Sequence, residues 1–220
     1  LNHFIIPTGG VDGICIKDVF DKGIKIYHDP SITSRGVAKY TQDKLESILE
    51  NEVIDFLGAA KVGLLGFGNV SRQIYEALKN YGCNFEAFTR KTNPPIYITS
   101  RKGNSGLDVL LSESDIIINT LPLTSETDRL LYGKTAQMKM GAIIVSVSRS
   151  GILDDHAILE RVHKGKLRGA ILDVYSEKII TSDYNHKSIV LTPHIAGIYG
   201  ESLPNIAQFV KNSIQAALRR

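Results

Sequence analysis

An α/β fold built on a doubly wound parallel sheet is predicted by two features of this sequence. From Lys61 onward, short apolar runs alternate with amphipathic stretches of helical period. The first of those runs ends in a glycine turn that opens directly into such a stretch. Strands alternating with helices pair in parallel and carry helices on both faces.

Each element has its own signal. Ahead of Lys61, FIIPT reads as a strand, DGICIKDVFDKG as a helix and IKIYH as a second strand. Two strands and one helix cannot cover one another's apolar faces, so either a partner segment is missing or this segment packs on the rest of the chain. KVGLLGFG is a buried strand running into glycines, and NVSRQIYEALKNYG repeats Val70, Ile74, Ala77, Leu78 and Tyr81 at helical spacing before stopping at Gly82. Then come strand CNFEAFT, a loop, a short helix around LDVLLSES, strand DIIINT, a helix TAQMKMG and strand AIIVSVS. Helix DDHAILERVHKG and the strands GAILDV and SIVLTP complete the alternation. A last helix over 201–220 lines up Ile206, Phe209, Val210, Ile214 and Ala217 on one stripe, which needs a surface to pack on.

Composition narrows the function. At 220 residues and 43% hydrophobic content, one complete domain and part of another can be buried. No apolar run approaches the roughly 18 residues of a membrane helix, and LNHFIIPTGG lacks a signal-peptide layout, so a cytoplasmic protein without membrane contact is expected. Cys15 and Cys83 are too few for a disulfide framework and have no metal-ligand spacing; two reduced thiols and no metal site are expected. A net charge of +3 with acids and bases interleaved gives no reason to expect a long basic face for nucleic acid and leaves room for a small anionic ligand.

Gly66, Gly68 and Ser71 form G-x-G-x-x-S between a strand and a helix, the place a dinucleotide-binding turn occupies in a Rossmann-type sheet. Gly66 makes the tight turn, Gly68 lets backbone approach a pyrophosphate, and Ser71 stands for the usual third glycine. Around them Phe67, Asn69 and Val70 present backbone N–H groups at the helix start. A tight βα turn without ligand is the bland alternative. About 20 residues on, an NAD site expects an acid for the ribose hydroxyls, whereas a 2′-phosphate is met by Arg. Here the second strand ends in Thr89, Arg90 and Lys91. A hydroxyl and two cations suit a phosphate, which favours NADP(H) with NAD(H) as the alternative; ordinary solvated cations are the other reading.

LPLTSETDRLL, SVSRSGILDDHAILERVHKGKLRGAILDVY, TPHIAG and GGVDGICIKDVFDKGI, in this order and spacing, resemble the D-isomer-specific 2-hydroxyacid dehydrogenases, a family that includes glyoxylate/hydroxypyruvate reductases and phosphoglycerate dehydrogenases. The resemblance covers nearly the whole chain. It implies hydride transfer between NADP(H) and a small 2-keto or 2-hydroxy acid, usually by a homodimer. By it, Arg149 matches the arginine that holds the substrate's carboxylate and carbonyl, and His194 the general acid that protonates the carbonyl oxygen. Gly9 and Gly10 resemble the loop whose backbone holds the substrate carboxylate. Asp173 matches the residue that contacts the nicotinamide carboxamide. Leu121, Pro122, Leu123, Thr127, Val147, Ser148 and Gly197 resemble residues along the cofactor's cleft. A 2-keto acid does need a bidentate cation and a group that titrates near neutrality.

The sequence departs from the family at three places. Where the family reads D-V-F-x-x-E-P, this chain has Asp173, Val174, Tyr175, Ser176, Glu177, Lys178 and Ile179. Lys178 thus takes the place of the glutamate that pairs with the catalytic histidine, and a cation there would disfavour imidazolium. Either Glu177 slips into the site, or the enzyme works without the carboxylate, or the site binds nucleotide without turnover. The family's V-A-E appears as Val37, Ala38 and Lys39. The stretch from there to Gly66 is short, and the N-terminal half of the family's substrate domain has no counterpart. The domain reading is therefore a substrate-domain remnant with crossover helix at 1–45, a Rossmann-type domain at 57–200, and a helix at 201–220 returning to the remnant.

Overall fold

The computed structural model of the chain describes residues 2–11, 13–90, 95, 98–180 and 185–219. The first unit is β1 (His3–Ile6), α1 (Ile16–Asp21) and β2 (Lys25–His28), with the two strands pairing in parallel so that Ile6 sits beside His28. The helix is shorter than its sequence signal because Gly13 and Gly23 take left-handed backbone on either side of it, with φ of 79° and 67°. Then α2 (Ser34–Leu49) leads through a 3-10 turn into α3 (Val53–Ala59). Val37, Ala38, Tyr40, Leu45 and Leu49 form the buried side of α2, which lies along the helix that follows the glycine turn.

Seven parallel strands make the main sheet. They are β3 (Lys61–Leu65), β4 (Asn84–Phe88), β5 (Thr99–Arg101), β6 (Ile116–Asn119), β7 (Ile143–Ser146), β8 (Gly169–Leu172) and β9 (Ile189–Leu191), in the spatial order β5-β4-β3-β6-β7-β8-β9. Between them run α4 (Asn69–Leu78), α5 (Gly103–Glu113), α6 (Asp155–His163) and the one-turn α7 (Glu177–Ile180); α8 (Ser202–Leu218) ends the fold. The alternation of side chains sorts the strands into two cores. Leu64, Ile116, Ile118, Ile143 and Val145 pack toward α2 and α4, while Leu65, Ile117, Ile144 and Leu172 pack toward α5 and α6. Strands covered on both faces read as continuous apolar runs, which is why IIIN and IIVS stand out in the sequence.

Three elements differ from the sequence reading. TAQMKMG forms only a 3-10 turn, Thr135–Gln137, because Met138 turns extended and Lys139 donates its N–H to Leu111 O at the end of α5 (3.1 Å). The helix of the glycine turn stops at Leu78, and Tyr81 lies in a following 3-10 turn closed by Gly82. Strand β5 falls in a stretch read as loop; it is tied to β4 by Arg101 Nε donating to the buried Glu86 carboxylate (2.7 Å), which also holds Lys61 Nζ at 2.8 Å. On α8, Ile206, Phe209, Val210 and Ala217 are half-buried, whereas Ile214 points outward. That helix touches β1.

Candidate functional site

The order of strands reverses at β3, whose neighbours are β4 on one side and β6 on the other. Parallel sheets of this kind bind ligands beyond the carboxyl ends of the strands at such a reversal. A cleft of about 780 Å³ lies there, walled on one side by Thr8, Gly9, Gly10 and His28 and on the other by residues following β6, β7 and β8. It brings together Val70, Leu121, Pro122, Val147, Ser148, Arg149, Asp173, His194 and Gly197. A side chain at Gly9 would strike Thr33 Oγ1 at 2.8 Å, so this wall depends on a bare backbone.

The glycine turn is built from both ends. Gly66 takes φ 91°, a left-handed value, and a Cβ there would crowd Thr120 Oγ1 at 3.2 Å. Ser71 is fully buried; its hydroxyl is 2.9 Å from Gly66 O and 2.6 Å from Thr120 Oγ1, so a hydrogen-bonded hydroxyl does the close packing of a third glycine. Gly68 precedes α4 with open space where a Cβ would stand and no side chain capping the helix. Asn69 is exposed beside it, and Phe67 is buried in the core, so Phe67 offers a ligand its backbone alone.

At the end of β4, Thr89 is buried and Arg90 is exposed. Arg90 makes an ion pair with Glu126 of the loop after β6, a carboxylate that the sequence reading did not connect with it. Lys91 lies outside the described residues. Thr127 shapes that same loop, donating its hydroxyl to Pro122 O (2.5 Å) and accepting from the Thr124 N–H (2.8 Å). Ser148 donates to Leu121 O, and buried Asn119 accepts the Leu121 N–H at 3.2 Å.

Of the catalytic candidates, Arg149 and His194 line the cleft together with Asp173. Asp173 is 1% exposed, and its carboxylate accepts from Thr192 Oγ1 (2.7 Å), Ile195 N (2.8 Å) and Ala196 N (2.9 Å). Its main-chain oxygen accepts the His194 N–H at 2.8 Å. That grip holds His194 at φ 56°, a left-handed backbone costing a non-glycine residue about 1–2 kcal/mol. The His194 side chain is exposed on the cleft wall. Arg149 is half-buried and donates from Nη1 to Ser148 O at 3.0 Å. Glu177 is exposed in the first turn of α7 and is not part of the cleft wall; Lys178 follows it in that helix. The backbone just before, Ser176 N, donates to Asp155 Oδ2 at 2.7 Å. Burial pushes the Asp155 carboxyl above its ordinary value.

Residues 32–196 match the family model described as D-isomer specific 2-hydroxyacid dehydrogenase, NAD binding domain. The chain belongs to this family. Its members are NAD(P)-dependent oxidoreductases, and a nicotinamide dinucleotide is the cofactor the fold serves. The chain is 29% identical over 220 residues to the hydroxypyruvate reductase of Thermotoga maritima, covering 88% of this chain and 70% of that relative. It is 25% identical over 234 residues to the glyoxylate reductase of Thermococcus litoralis, covering 94% of this chain and 71% of the relative. An acyclic imino acid reductase solved with NADPH and D-Arg shares the fold, with a TM-score of 0.84 at 19% identity over 100% of this chain and 76% of that one. Most of the dehydrogenase motifs thus share one cleft, whereas Thr89, Arg90, Leu123, Thr127 and Glu177 stand outside its wall. Of the glycine turn and helix start only Val70 lines it, with Gly66, Phe67, Gly68 and Asn69 outside.

Proposed function

We propose that the chain is an NADP(H)-dependent reductase of small 2-keto acids, with glyoxylate or hydroxypyruvate as substrate, working in the cytoplasm as a homodimer. The observation that carries this reading is the shared cleft of Gly9, Gly10, Arg149, Asp173 and His194. Arg149 would hold the substrate carboxylate through its guanidinium fork while the Gly9–Gly10 backbone flanks it. His194 would give its proton to the carbonyl oxygen as the carbonyl carbon takes hydride, and would take it back in the reverse direction. The nicotinamide, when bound, supplies that hydride.

On the cofactor side, the bare backbone at Gly68 and the uncapped N–H groups of Asn69 and Val70 suit a pyrophosphate. Among the described residues Asp173 Oδ2 accepts from Ala196 N, and a carboxylate oxygen has a second lone pair that could accept a carboxamide N–H. Thr89, Arg90 and Lys91 would receive the 2′-phosphate. Arg90 would then exchange Glu126 for phosphate, an affordable swap because an exposed ion pair contributes only about 0.2–1 kcal/mol. Among the described residues no helix is long and apolar enough to cross a membrane.

A second reading, a nucleotide-binding protein with impaired turnover, is favoured by Lys178 in the glutamate's place and by the position of Glu177 outside the cleft wall. His194→Gln separates the two. An enzyme loses about two to four orders of magnitude in rate with NADPH binding intact; a binding protein has no rate to lose.

A further inference from the structure

We propose that Tyr40, on the crossing helix α2, is a positioning residue for His194, acting through Thr192 and Asp173. The inference rests on the assignment of His194 as proton donor, and the geometry behind it is independent of that assignment. Tyr40 is fully buried, and its hydroxyl lies 2.5 Å from Thr192 Oγ1. Thr192 in turn bonds Asp173 Oδ1 at 2.7 Å. A carboxylate only accepts, so the one hydroxyl proton of Thr192 goes to Asp173. Tyr40 must therefore be the donor to Thr192. Burial supports this, because it pushes the phenol up to about 12 and keeps it protonated at any working pH.

The result is a one-way chain, Tyr40 to Thr192 to Asp173, that ends on the carboxylate gripping the Ile195 and Ala196 N–H groups. Chains of this kind strengthen one another in a low-dielectric interior. Asp173 also holds the His194 N–H through its main chain, so the chain terminates on both sides of the strained residue. Helix α2 reaches beyond the turn as well. Tyr40 stands edge-on to Tyr199, with centroids 5.5 Å apart at 86°, and a Cβ at Gly36 would come within 2.6 Å of Tyr199 O. One helix thus holds the segment before and after His194, by Tyr40 at Thr192 before it and by Asp43, which accepts the Tyr199 hydroxyl at 3.1 Å, after it.

The sequence gives no hint of this role, since a tyrosine on the buried stripe of a helix reads as core. A purely packing role predicts that Tyr40→Phe, which keeps the ring, leaves the turn as it was. A positioning role predicts that amide hydrogen exchange at Ile195 and Ala196 rises about five- to tenfold in Tyr40→Phe, with β6 and β7 unchanged. Thr192→Val should reproduce the effect, and Thr192→Ser, which keeps the hydroxyl, should not. With substrate, kcat should fall by a similar factor while KM for NADPH holds. Unchanged exchange at Ile195 and Ala196 in folded Tyr40→Phe and Thr192→Val would overturn the proposal. Exchange is read without substrate, so a wild-type chain inactive on every 2-keto acid would defeat the reductase reading and still leave the Tyr40 link decided.

Discussion

The seven-stranded sheet and the β1-α1-β2 unit are built from the same local pieces but stand on different footings. In the sheet, Ile116 to Asn119 and Ile143 to Ser146 are buried at every position, with a core on each face. In the small unit, Ile6 is the sole buried hydrophobe among the described residues of β1, α1 and β2. The wall of the cleft that follows β6, β7 and β8 therefore sits on a self-sufficient scaffold. The other wall, with Gly9, Gly10 and His28, leans on α8 and on the segment around Thr33 for its position.

The largest expected difference is in stability. Leu64→Ala, at a fully buried sheet position, should lower the free energy of unfolding by about 3 kcal/mol, whereas Ile26→Ala on half-buried β2 should lower it by about 1 kcal/mol or less. Denaturant titration of both variants checks this, and equal losses would erase the distinction between the two units.

Next in size are the changes at the rim. Arg90→Ala should weaken NADPH by about tenfold or more, the loss of a charge-assisted hydrogen bond, and leave NADH nearly unaffected. Glu126→Gln frees the Arg90 guanidinium and should tighten NADPH by a few-fold at low salt, within what an exposed pair contributes. Parallel fluorescence titrations of the two nucleotides read both changes, and equal shifts for NADPH and NADH would remove the 2′-phosphate assignment.

Smaller effects belong to the start of α6 and to the segment after β8 that it holds. The folded-state pKa of Asp155 is raised by burial, so its contribution to stability is fully present below the unfolded value and is lost as pH rises through the folded one. Asp155→Asn, which can still accept from Ser176 N, should thus be more stable than the wild type at neutral pH, with the gain vanishing on acidification. A loss at neutral pH would mean that the Ser176 contact needs the charge. Glu177→Gln should leave the rate unchanged, because Glu177 stands outside the cleft wall. A large loss would place that carboxylate in the working site.

Much of the fold could be read along the chain because its signals are local. The run KVGLLGFG and the helix after it declare a strand, a turn and a helix within a short window, and the buried strands announce themselves by unbroken apolar runs. Strand β5 was hidden because it is three residues long and is held by Arg101 reaching Glu86, fifteen residues away. TAQMKMG has a helix-like composition, but a tertiary hydrogen bond from Lys139 to Leu111 decides its shape. The same contrast holds at the site. Gly66, Arg149, Asp173 and His194 stand in recognisable motifs. Glu126 faces Arg90 from a different loop, and Tyr40 meets Thr192 across 152 residues of chain, so neither pairing leaves a periodic trace.

The most direct test of the reductase reading is to follow NADPH oxidation by the purified chain with glyoxylate and with hydroxypyruvate, alongside an NADPH binding isotherm and the His194→Gln variant in the same buffer. The account predicts binding in both proteins and turnover only in the wild type. Binding without turnover in the wild type would contradict it and make the chain a nucleotide-binding protein on a dehydrogenase scaffold.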